Sequence, residues 1–159
     1  IIMIYDSILE ASSSDLISSH EAAKLIGFIS EKKKTDFHGG DVTIFGKKTK
    51  IKRVSAYYND TMTEADAKRY MLKLRSSTSQ IERSVLNYIR SHIKEFSEYD
   101  STLSTVNDAI GLGFHVKPQY VMASKNTVVL MCTCKWDIEH GIGIQFIPSI
   151  KVAPQDIFL

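Results

Sequence analysis

Cysteine, proline and tryptophan are scarce in this chain: 159 residues hold two, three and one of them. Cys132 and Cys134 sit two apart in an apolar run, so on a strand they would point to the same face. That pair is a poor disulfide framework, and a reducing cytoplasm is the expected setting. Few Pro and Gly, with 43% apolar and 24% charged residues, exclude a disordered or low-complexity chain. No window approaches the roughly 18 unbroken apolar residues of a membrane-spanning helix. The apolar opening Ile1-Ile2-Met3-Ile4-Tyr5-Asp6 lacks a preceding basic region, so no export signal is expected. Charge of one sign is also lacking: a formal net charge of +2 and pI near 8.5 are too slight an excess to demand nucleic acid or an anionic membrane. The length suits one domain with a real core.

What is present reads as helix, hairpin, two helices and a run of strands. Ser18-Ser19-His20-Glu21 has capping-box spacing, and Ala22, Leu25, Ile26 and Ile29 recur at helical intervals, predicting a helix from about Ser19 to Lys33. Thr35 to Asp41, with Gly39-Gly40, reads as a turn. Asp41 to Phe45 and Lys48 to Val54, joined through Gly46, read as a β-hairpin whose second arm alternates lysine with β-branched residues. Thr63-Glu64-Ala65-Asp66 caps a helix striped by Ala67, Tyr70, Met71 and Leu74. After Ser77 to Gln80, a second helix carries the clearest periodicity, Ile81, Val85, Tyr88, Ile89, Ile93 and Phe96. So short a polar link predicts an αα-hairpin. Ser101 to Asn107 suits a short helical turn, and Gly111-Leu112-Gly113 is expected to break any helix. Strands follow over Phe114 to Ala123, Thr127 to Lys135, Ile142 to Ile147 and Ile150 to Val152, with a turn at Asp137 to Gly141. This segregation predicts an α+β fold in which an antiparallel sheet, the hairpin plus a C-terminal meander, packs against the αα-hairpin and the N-terminal helix.

Two clusters invite a functional reading. The first is Trp136-Asp137-Ile138-Glu139-His140-Gly141. Asp, Glu and His supply metal ligands or proton shuttles, but a lone His does not match zincin spacing. The structural account has Asp137 and His140 bonding backbone, Gly141 adopting positive φ and Trp136 closing the core. His20, His38, His92 and His115 are free to join either this cluster or the cysteines in space. Cys132-Thr133-Cys134 alone would leave a tetrahedral metal site half filled. The second cluster is basic. From Glu31 to Arg53 there are eight basic residues against three acidic ones, and Lys47, Lys48, Lys50, Lys52 and Arg53 fall on the hairpin near Tyr57 and Tyr58. They suit an acidic protein partner or phosphates, or simply a wet strand edge guarded against aggregation. No nucleophile elbow, phosphate loop or complete dinucleotide fingerprint is present, so no motif calls for catalysis or for a cofactor or bound metal.

These residues resemble an uncharacterised bacterial domain-of-unknown-function family. The resemblance rests on Trp136, Asp137, Glu139, His140, Gly141, Gly143, Gln155, Asp156 and Ile157, with Ile44-Phe45-Gly46-Lys47 similar to an early hairpin. It covers Gly40 to Leu159, leaving residues 1–39 as an N-terminal helical addition to a single domain. Such small bacterial domains are similar in character to immunity proteins, which bind one toxin in the cytoplasm. The resulting expectation is a non-enzymatic cytoplasmic protein-binding domain that neutralises a cognate toxin domain. Its partner-binding residues would be Lys47, Lys48, Lys50, Lys52 and Arg53. The competing expectation is a metal-assisted hydrolase using Asp137, Glu139 and His140; a nucleic-acid module on the basic hairpin ranks third.

Overall fold

Capping and periodicity build the helices where the side chains dictate. The computed structural model describes residues 32–159, and within it helix α1 spans Glu64–Ser76. Thr63 Oγ1 accepts from the Asp66 N–H at 3.1 Å and the Thr63 N–H donates to Asp66 Oδ2 at 3.2 Å, a reciprocal capping box. Burial alone would raise the Asp66 carboxyl, but the bonds from the Thr63 backbone, Arg69 and the Thr63 hydroxyl outweigh it and hold the group below its usual range. Ala67, Met71 and Leu74 are the buried stripe. Helix α2, Thr78–Ser91, buries Ile81, Val85 and Ile89. One-turn helices α3, Ile93–Phe96, and α4, Ala109–Leu112, follow, with a 3₁₀ turn at Ser101–Thr105 between them.

Six strands form one sheet in chain order: β1 Asp36–Ile44, β2 Lys47–Ala56, β3 Val116–Ala123, β4 Val128–Cys134, β5 Asp137–Ile147 and β6 Lys151–Pro154. β1 and β2 turn through Phe45 and Gly46, whose φ values of 54° and 78° give the two-residue turn that follows strand twist. Phe45 is buried in that unfavourable conformation, and its N–H donates to Glu82 Oε2 of α2 at 2.7 Å. Helix α2 contacts both edge strands, β1 and β6, and so lies across one face of the sheet. On the other face a C-terminal 3₁₀ turn, Gln155–Phe158, contacts β4, β5 and β6. Covered on both sides, β4 is buried at every position from Val128 to Cys132. Lys34–Leu159 makes one compact unit.

The fold is α+β and its sheet is mostly antiparallel, but several expectations are corrected. The sheet is mixed: Val54, Ser55 and Ala56 pair in parallel with Val121, Met122 and Ala123. The reason is that α1 to α4 intervene and return the chain to the far end of the sheet, a crossover that short-turn reasoning omits. The Thr35 to Asp41 turn is largely strand, since β1 starts at Asp36. Where an αα-hairpin was expected, only Ser77 separates α1 from α2, and one residue at φ −107° and ψ 3° bends the path without the two-to-five-residue loop of such a hairpin. Gly111 and Leu112 are helical, because the Asp108 carboxylate caps the turn by accepting the Gly111 N–H at 2.8 Å. The expected helix from Ser19 lies outside the described residues except at Lys32 and Lys33, which are not helical.

Candidate functional site

Trp136 to Gly141 forms a bulged strand start. The reversal between β4 and β5 falls at Lys135 and Trp136, and Asp137 already pairs with Cys134. Cys132 then pairs with Ile142, so Ile138 to Gly141 loop out opposite Thr133. This corrects the expected turn at Asp137 to Gly141. Asp137 Oδ1 accepts the His140 backbone N–H at 3.1 Å and lies 3.2 Å from His140 Nδ1. Gly141 returns the chain to the ladder at φ 68°, where a Cβ would stand 2.3 Å from the Cys132 carbonyl oxygen. Only glycine satisfies both demands.

The bulge forms one wall of a cleft of about 780 Å³. The opposite wall comes from Tyr88 of α2, His92 at the α2–α3 junction, Glu95 and Phe96 of α3, and Tyr99 in the turn that follows. His92, Phe96 and Trp136 form a ladder of stacked rings, with centroids 5.2 and 5.0 Å apart and planes within 17°. Phe96 and Trp136 are buried at its base, whereas Tyr99 and Ile138 are strongly exposed. Asp137, Glu139 and His140 share the cleft, yet among the described residues no group of three or more His, Cys, Asp and Glu is placed to hold a metal ion. His115 is engaged elsewhere, paired with Asp100 in the interior; His38 lies in a groove beside Arg75, and His20 falls outside the described residues. Cys132 and Cys134 are free and buried. Burial pushes the Cys134 thiol up to about 12 and raises Cys132 well above its ordinary value, assisted there by Cys134.

The second candidate surface is the basic one. Lys47, Lys48, Lys50, Lys52 and Arg53 are all exposed. The first four line a groove of about 330 Å³ with Lys117 and Gln119 of β3. It lies alongside the stretch where β2 and β3 have not yet joined, since their pairing is confined to the residues from Val54 and Val121 onward. Lys48 Nζ is 3.5 Å from Asp41, with both side chains mostly exposed. Arg53 stacks 4.1 Å from the centroid of the Tyr120 ring and donates from Nε to Ser55 Oγ at 2.9 Å; Ser55 in turn donates to Asp36. The expected neighbours Tyr57 and Tyr58 do not line this groove.

Both surfaces fall within residues 26–159, which match the family described as "Domain of unknown function (DUF6985)". The chain belongs to this family. The family match begins before Gly40, inside the stretch read as an addition. No curated protein and no solved structure matches the chain. Within this family domain, sequence reading missed the helical wall of the cleft and Lys117 of the groove. Tyr88, His92 and Phe96 recur every four residues, a signal for one helical face, but Tyr88 and Phe96 were absorbed into the core stripe. Lys117 carries no local signal, because the parallel pairing of β2 and β3 alone brings it to the other lysines.

Proposed function

We propose that this domain is a non-enzymatic, cytoplasmic protein-binding module, an immunity protein that neutralises a bacterial toxin domain by direct binding through its basic groove. The observation that carries the reading is the convergence of Lys47, Lys48, Lys50, Lys52 and Lys117 on one groove, with Arg53 stacked beside it. Each lysine is long, exposed and able to reorient, which suits ion pairing with an acidic partner surface and fast, steered association. Among the described residues no helix is long and apolar enough to cross a membrane. The metal-assisted reading ranks below it, since Asp137 and His140 are bonded to each other and, among the described residues, no third donor joins them in a metal-binding group.

The test is affinity purification of the tagged chain from its host, with mass spectrometry and metal analysis of one eluate. A stoichiometric partner is expected whose expression alone arrests growth, whose effect co-expression of this chain relieves, and whose capture Lys48→Glu with Lys50→Glu abolishes. A partner held equally well by the doubly reversed chain removes the groove as interface. A solitary protein carrying tightly held metal overturns the reading in favour of Asp137, Glu139 and His140.

A further inference from the structure

The cleft beside Trp136 has the opposite character to the basic groove. Its rim carries the carboxylates of Glu95, Asp137 and Glu139 against a single lysine, Lys135. Asp137 is committed to His140, while among the described residues neither Glu95 nor Glu139 is engaged in an ion pair. The walls are aromatic, and the face of an aromatic ring attracts a cation, more strongly as water is excluded.

Trp136 supplies an independent pointer. It is 6% exposed, and among the described residues its indole N–H has no hydrogen-bond partner. Among the described residues no polar side-chain atom is enclosed without a partner, so this N–H is accessible rather than sealed in, and Trp136 itself borders the cleft. An accessible indole N–H in an otherwise buried ring is a donor that a ligand's acceptor can take over from water. A ligand matched to the cleft therefore combines a positive charge with a nearby acceptor oxygen. A lysine or arginine residue of a polypeptide has both, in its side chain and its backbone carbonyl. The volume of about 780 Å³ is in the range of ligand sites and exceeds what a bare inorganic ion needs.

We propose that this cleft captures a basic residue of an extended polypeptide. Its cation rests against Tyr99 between Glu95 and Glu139, and a peptide carbonyl accepts from the Trp136 indole. The inference does not depend on the basic groove, and its test requires no toxin.

Trp136 is the only tryptophan in the chain, so its fluorescence reports directly on the site. The full chain would be titrated with acetyl-Gly-Arg-Gly-amide, with the same peptide carrying neutral citrulline in place of arginine, and with spermidine. A saturable response to the arginine peptide alone is expected. Affinity should fall about tenfold or more in Glu95→Gln with Glu139→Gln, as loss of two charge-assisted contacts requires. All three altered positions, counting a separate Tyr99→Ala variant expected to weaken binding, are exposed, and unchanged circular dichroism would verify folding. Equal binding of the citrulline peptide, no saturable response, or unchanged affinity in the folded double variant would overturn the proposal. Spermidine binding as tightly as the arginine peptide would overturn the polypeptide as ligand.

Discussion

At residue scale, Gly141 and the two cysteines are fixed by one another's surroundings. The chain re-enters β5 at Gly141 with positive φ against the Cys132 carbonyl. Gly141→Ala must relieve both a backbone strain of roughly 1 to 3 kcal/mol and a contact with rigid backbone. Urea denaturation should show a loss of at least that size, and an unchanged midpoint would refute the geometry. The buried thiols give a pH signature. Their folded pKa values lie above the ordinary value of 9.0, at about 12 for Cys134. Above pH 9 the unfolded chain therefore holds fewer protons than the native one, and stability falls with rising pH. The Cys134 contribution is complete below about pH 9 and is lost as pH climbs through about 12; that of Cys132 is lost in the same direction. Replacing both cysteines with alanine should flatten that alkaline decline in thermal melts. Native protein at pH 8 should also resist iodoacetamide until unfolded, because the thiolate is the reactive form.

At element scale, the β1–β2 turn and α2 are held together by one charge-assisted bond from the Phe45 N–H to Glu82. Glu82→Ala leaves that amide unsatisfied and should cost about 1 to 3 kcal/mol in equilibrium unfolding. Glu82→Gln, which keeps an acceptor, should recover much of the loss; equal destabilisation by both would point to packing instead. The C-terminal turn is seated by absence of a side chain: a Cβ on Gly143 would lie 2.4 Å from the Phe158 ring. Gly143→Val should expel the turn, read as faster hydrogen exchange over Gln155–Phe158 and β4. These elements were unevenly legible. Thr63, Asp66 and the Ala67, Met71, Leu74 stripe declare α1 by local chemistry alone. The bulge at Ile138 to Gly141 could not be declared that way, since its register depends on β4.

At the scale of the molecule, charge is separated between the lysine groove and the acidic cleft. Lys48 and Lys50 are exposed, and the single Lys48–Asp41 contact is solvent-screened. Lys48→Glu with Lys50→Glu should accordingly leave the melting temperature nearly unchanged while weakening partner association, mostly through the on-rate and its salt dependence. A large drop in melting temperature would show those lysines to be structural.

By itself the sequence determined the α+β class, the Thr63 capping box, the β1–β2 turn at Gly46 and the positive φ at Gly141, because each follows from side-chain chemistry within a few residues. Tertiary structure decided the parallel β2–β3 junction, the arrival of Lys117 among the hairpin lysines and the facing of Tyr88, His92 and Phe96 toward Trp136. Those depend on how a crossover of four helices closes over the sheet. Residues far apart in the chain meet there through long-range packing, for which no local pattern carries a signal.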